Sequence, residues 1–170
     1  MKKAGGLLGI GNENVIPIDV DRTRSIDIAK LKKYICDLKK EKHTKIAAIV
    51  GIAGATETGI IDPLDTLADI CSKEKIHFHV DAAWGGPVLL SDKYHHLLKG
   101  IERADSVTID CHKQFYMPMT SGMVYFKDPQ ALDQIVYHAR YVNRPGSVDL
   151  GIKTLEGSRE ANSLILDSAL

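Results

Sequence analysis

Cysteine is scarce in this 170-residue chain: Cys36, Cys71 and Cys111 stand far apart, with no C-x-x-C pair and no companion histidine motif. That pattern excludes a disulfide-stapled scaffold and a zinc ribbon, and it fits reduced thiols in a cytoplasmic protein. Net charge is absent as well. Lys plus Arg and Asp plus Glu are each 22, so no global field draws the chain to nucleic acid or to an anionic membrane; a small molecule or another subunit is the expected partner. No apolar run approaches the roughly 20 residues that cross a bilayer. The start MKKAGGLLGIG runs on into Asn12, Glu13 and Asn14 without a small-residue cleavage site. Gly5, Gly6, Gly9 and Gly11 miss the G-x-G-x-x-G spacing, and His77 and His79 lack a third ligand at a sensible distance in sequence, so no metal site is expected. Internal repeats and low-complexity stretches are missing too.

What is there has the composition of one globular domain, 44% hydrophobic and 26% charged. From Ser25 to Lys42, the apolar residues Ile28, Leu31, Ile35 and Leu38 recur every three or four positions among lysines. This predicts an amphipathic helix capped by Ser25. Ile46 to Gly54 is nearly all apolar, as in a strand covered on both faces of a parallel sheet. Asp62-Pro63 predicts an N-cap and first-turn proline for a helix running toward Lys75, and Asp128-Pro129 repeats the device. His77 to Val80, Ser106 to Ile109 and Gly122 to Phe126 read as short strands. Tyr141 to Gly157 reads as a loop leading to a last helix around Glu160 to Leu170. The alternation predicts an α/β fold with a mostly parallel sheet flanked by helices, and ligands gathered beyond the carboxyl ends of the strands.

Two segments carry the chemistry. Asp81-Ala82-Ala83-Trp84-Gly85-Gly86 sets an acid after a buried strand with small residues behind it, and His112-Lys113 follows a later strand. An acid and a lysine in one pocket is one reading; a helix-capping Asp81 and a solvated Lys113 is the other, and spacing alone leaves both open.

The run HVDAAWGGPVLLSDKYHHLLKGIERADSVTIDCHK resembles the group II pyridoxal-phosphate-dependent decarboxylases, the family of glutamate, aromatic amino-acid and tyrosine decarboxylases. The matching pieces are His79 to Trp84, Ala104-Asp105-Ser106, and Asp110-Cys111-His112-Lys113. The resemblance implies the large domain of the fold type I (aspartate aminotransferase-like) transferases and pyridoxal 5′-phosphate as cofactor. It implies that Lys113 forms the imine with the cofactor aldehyde and that Asp81 pairs with the pyridine nitrogen. Ala83 would be the small residue beneath the ring. His112 would help bind the phosphate, with a structural hydrogen bond as the competing role. Thr56, 25 positions before Asp81, would lie near the cofactor's phenolic oxygen and the substrate carboxylate, with a turn-forming hydroxyl as the alternative. Asp110 falls beside the phosphate site with its role open.

Residues 1–150 are then expected to be part of the cofactor domain and 151–170 the start of a connection to a small C-terminal domain. The family's phosphate loop and its H-x-S histidine motif are not found, so the chain is expected to be a fragment of a parent that works as a homodimer. The expected reaction of that parent is decarboxylation of an L-amino acid. The DAAWGG spelling points to glutamate or aspartate, and the tail Gly146 to Glu160 keeps tyrosine in view. An aminotransferase or lyase with the same Asp and Lys logic, or an inactive fragment with an assembly role, are the alternatives.

Overall fold

The computed structural model describes residues 1–41, 44–139, 141, 144–146, 148–158 and 160–170. They divide into two compact units, Met1–Ala47 and Ala48–Leu170. In the first, α1 (Lys2–Leu7) and α2 (Ile28–Leu38) are joined through a short 3-10 turn at Asn12–Asn14 and an isolated antiparallel bridge between Val20 and Ile26. Helix α2 buries Leu31 and Ile35 and exposes Lys30, Lys32 and Lys33, the amphipathic division that the spacing predicts. Its cap is Asp27, not Ser25. The Asp27 carboxylate accepts from the Lys30 amide at 3.0 Å, while the Ser25 carbonyl is engaged by the Asp21 amide at 2.8 Å, so the bridge holds Ser25 away from the helix. Lys42, the expected helix end, lies outside the described residues, and α2 stops at Leu38.

The second unit holds a four-stranded sheet in the order β1 (Ala48–Ile52), β2 (His77–Asp81), β3 (Ser106–Asp110), β4 (Gly122–Phe126). The first three strands are parallel and β4 returns antiparallel, its Gly122 opposite Asp110. Helix α3 (Leu64–Glu74) makes the crossover from β1 to β2 and buries Leu64, Leu67, Ala68, Ile70 and Cys71. Phe78 and Val80 of β2 are buried on the alternate positions, 1% and 0% exposed. A Cβ on Gly51 would stand 2.8 Å from Leu67 Cδ1 and 3.2 Å from Leu64 Cδ2, so the missing side chain lets α3 approach β1.

Three local features depart from the sequence reading. Strand β1 buries Ile49 and Gly51 but leaves Ile52 39% exposed, so the apolar run is covered on one face, where α3 lies. Asp62 does not cap α3: its carboxylate accepts from the Ile52 amide at 2.8 Å, and its own amide donates to the Ile52 carbonyl. The chain is thus pinned to the end of β1 before Pro63 and the helix. Asp128 accepts from the Gln130 amide at 2.8 Å and opens a 3-10 turn at Ala131–Ile135 rather than an α-helix. Beyond a further 3-10 turn at Leu150–Lys153, α4 spans Asn162–Ala169. Among the described residues no helix is long and apolar enough to cross a membrane.

Candidate active site

Strand polarity decides where chemistry gathers. Because β1, β2 and β3 run parallel, their carboxyl ends open side by side, and three loops converge there: 53–61 after β1, 82–86 after β2, and 111–121 after β3. A cleft of about 330 Å³ lies among them, lined by Thr56, Asp81, Ala83, Trp84 and Lys113 together with the carboxylate-bearing Glu57. Residues 57 positions apart in the chain, from Thr56 to Lys113, therefore meet in one hollow of the size that takes a small ligand.

Asp81 is the last residue of β2. Its main-chain carbonyl accepts from the Ala53 amide at 2.8 Å, and its side-chain Oδ1 accepts from the Ala83 amide at 3.1 Å. One oxygen is thereby fixed by its own loop, and the group lines the cleft. On the same face of β2, His77 Nε2 and His79 Nδ1 each lie 2.8 Å from the Ser106 hydroxyl, and His79 Nε2 lies 3.3 Å from Thr108 Oγ1. This strand pair is thus part of a polar seam between β2 and β3. Burial holds the His79 imidazole below its ordinary pKa, with the Asp81 charge opposing and His77 reinforcing the shift.

Lys113 sits in a turn closed by its own amide on the Asp110 carbonyl at 3.2 Å and by the Tyr116 amide on the Lys113 carbonyl at 3.0 Å. Its Nζ is 2.8 Å from Asp110 Oδ2, with side-chain exposures of 30% and 20% for the two partners. Asp110 can reach this lysine because it ends β3 opposite Gly122, where a Cβ would stand 3.0 Å from Asp110 Oδ1. His112 points elsewhere: Nδ1 lies 2.7 Å from the Ser121 carbonyl oxygen, and Nε2 lies 3.9 Å from Asp110 Oδ2. His112 and Asp110 stand behind Lys113 and do not line the cleft.

Thr56 is exposed in the turn after β1, which is closed by the Ala55 amide on the Ile60 carbonyl at 2.9 Å and the Gly59 amide on the Ala55 carbonyl at 2.7 Å, with the Thr58 hydroxyl accepting from the Ile60 amide at 3.3 Å. The turn-forming role considered for Thr56 belongs to Thr58. The loops approach closely where both carry glycine: Gly54 has φ +90°, a Cβ on it would lie 2.9 Å from Gly85 Cα, and a Cβ on Gly85 would collide with the Ala53 carbonyl oxygen. The sequence reading overlooked Glu57 and gave Trp84 no place in the site. Both adjoin predicted residues, and adjacency in sequence was the available signal.

The family described as the pyridoxal-dependent decarboxylase conserved domain matches residues 1–166. The aspartate 1-decarboxylase of Aliivibrio fischeri is 52% identical over 168 residues, covering 99% of this chain and 30% of that protein. The human acidic amino acid decarboxylase is 35% identical over 170 residues, covering 96% and 32%. The crystal structure of mouse CSAD in its apo form superposes with a TM-score of 0.89 at 31% identity, covering 99% of this chain and 36% of that one. The chain spans about a third of the length of these relatives.

Proposed function

The chain belongs to the pyridoxal-dependent decarboxylase family, and from that premise we propose that it carries the cofactor-holding cleft of an enzyme that decarboxylates an acidic amino acid, aspartate ahead of glutamate. The observation that carries the reading is the convergence of an amine, Lys113, and a carboxylate, Asp81, on one cleft at the carboxyl ends of a parallel sheet, with the small Ala83 beside them.

That donor set fits pyridoxal 5′-phosphate. The bound cofactor would supply an aldehyde for a lysine amine and a conjugated ring that takes up the electron pair left on an α-carbon when carbon dioxide departs. Lys113 brings the primary amine, the side chain suited to reversible bonding with a carbonyl. Asp81 brings a fixed negative charge, the group that keeps a proton on an aromatic nitrogen next to it. The Ala83 methyl leaves room for a flat ring. Thr56 contributes a hydroxyl from the opposite loop that the turn does not use. His112, its Nδ1 occupied by the Ser121 main chain and its Nε2 turned toward Asp110, acts from behind Lys113, and Asp110 acts on Lys113 through the ion pair.

Aspartate is favoured over glutamate because of the 52% identity to the Aliivibrio fischeri aspartate 1-decarboxylase, and an acidic substrate is supported by the human relative as well. The same reading makes 1–150 part of the cofactor domain, makes 151–170 a lead into a smaller domain, and takes the whole protein to be a cytoplasmic homodimer. Two measurements test the proposal. Mixing the chain with pyridoxal phosphate and reducing with borohydride should leave the adduct on Lys113, and Lys113→Ala should lose it; an adduct spread evenly over surface lysines rejects the cleft assignment. Assay of the whole protein with aspartate, glutamate, 2,4-diaminobutyrate and tyrosine should show carbon dioxide release from aspartate first, and turnover of diaminobutyrate or tyrosine alone would reject the substrate class.

A further inference from the structure

We propose that Gln114 is a positioning residue whose amide clamps Trp84 and so holds the turn bearing Lys113 against the wall of the cleft. The importance of Lys113 rests on the reading above; the clamp itself rests on geometry. With the amide oriented to satisfy both groups, its oxygen accepts from Trp84 Nε1 at 2.9 Å and its nitrogen donates to the Trp84 carbonyl at 3.3 Å. The indole offers only a donor and the carbonyl only an acceptor, so a primary amide, with one of each on a single planar group, meets both. Both residues are half-buried, and the indole lines the cleft.

The position of this pair along the two loops gives it consequence. The 82–86 loop is stitched to β3 by the Ala82 amide on the Thr108 carbonyl at 2.9 Å, and by the Asp110 amide on the Ala83 carbonyl at 3.3 Å. Both stitches precede Lys113. The pairing of Gln114 with Trp84 continues the seam past it, so Lys113 is bracketed by Asp110 on one side and Gln114 on the other. With that anchor gone, the turn 111–117 keeps its own closures, the Met117 amide on the Cys111 carbonyl and the His112 amide on the Ser121 carbonyl, both at 3.2 Å, but loses its side-chain tie to the 82–86 loop, and the amine spends less of its time at the cleft. The loss of directed hydrogen bonds, rather than of bulk, is what Gln114→Leu imposes.

Trp84 is the single tryptophan of the chain, so intrinsic fluorescence reports this indole alone and needs no cofactor. In the 170-residue chain, Gln114→Leu should shift the emission to the red and raise quenching by acrylamide. Deuterium uptake in 111–117 should quicken about three- to tenfold, as expected when neutral hydrogen bonds are lost, while uptake in α3 stays unchanged. Should the leucine variant fail to fold, Gln114→Asn, one methylene too short to meet both Trp84 groups, should move both readings the same way. Unchanged emission overturns the clamp, and altered emission with unchanged exchange in 111–117 overturns the positioning role. Borohydride trapping of pyridoxal phosphate on the wild-type chain separates the two readings: no adduct on Lys113 rejects the cofactor assignment and leaves emission and exchange to decide the clamp.

Discussion

On the proposed function, the ion pair between Lys113 and Asp110 sets how available the amine is. To reach into the cleft, the amine must leave a carboxylate 2.8 Å away, and a charge-assisted hydrogen bond is about twice as strong as a neutral one. Asp110→Asn should therefore speed trapping of pyridoxal phosphate on Lys113 about two- to fivefold, the factor that corresponds to the ~0.5–1 kcal/mol of a partly exposed pair; slower trapping would mean that Asp110 aims the amine rather than restrains it. His79 makes a prediction about pH. Its pKa in the fold is depressed, chiefly by burial, so between that value and the ordinary histidine value near about 6.5 the unfolded chain binds the extra proton. Stability is thus fully present above that range and falls as the pH drops through it. Urea midpoints at a pH above and a pH below the window should differ less in His79→Gln than in the wild type, and an equal difference would assign the acid sensitivity to other groups.

At the level of elements, the unit β1–α3–β2 supplies the platform. Leu64 and Leu67 of α3 lie over Gly51, and Arg103 draws the first two turns of the same helix to the loop before β3 by pairing with Asp65 and with Asp69, the latter at 2.6 Å. The apolar part dominates, because the ion pairs are exposed to screening while Leu67 is 0% exposed. Leu67→Ala should cost about 2–5 kcal/mol in denaturant unfolding, the range for a large-to-small change in a packed core. A cost well under that range would mean that α3 collapses onto the space Gly51 leaves. The helix was legible from Asp62-Pro63, and Pro63 does stand just before it, but the cap was not: Asp62 looks like an N-cap in sequence and is taken by the Ile52 amide through space.

Across the whole molecule the three thiols divide by burial. Cys36 is exposed, whereas Cys71 and Cys111 are buried at 2% and 0%. Burial, assisted by the Asp105 charge, pushes the Cys71 thiol up to about 11, so it stays protonated at neutral pH. One thiol should react rapidly with a disulfide reagent in the native state and two more only on unfolding. Two fast thiols in folded protein would show that the core around β2 and α3 opens readily. The same burial pattern leaves one edge of the sheet uncovered: Val124, Tyr125 and Phe126 of the edge strand β4 are 52%, 51% and 36% exposed.

The sequence by itself determined the four strands, the helices α2 and α3, and the strand ends at which Asp81 and Lys113 stand. Strand ends follow from where apolar runs stop, so Asp81 and Lys113 were visible as residues at or just past strands, and parallel order followed from the alternation with helices. The predicted strand Gly122 to Phe126 has the same bounds as β4. What only the tertiary structure decided is which of these residues touch. The register that sets Asp81 opposite Thr108 and Asp110 opposite Gly122 and the bridge from Gln114 to Trp84 depend on distances between separate segments of the chain, while the pairing of Asp110 with Lys113, three residues on, depends on the turn that follows β3. Periodicity reports the environment of one residue's own face; it carries no information about which neighbour stands across a cleft, and hydrogen bonds are made or lost over fractions of an ångström.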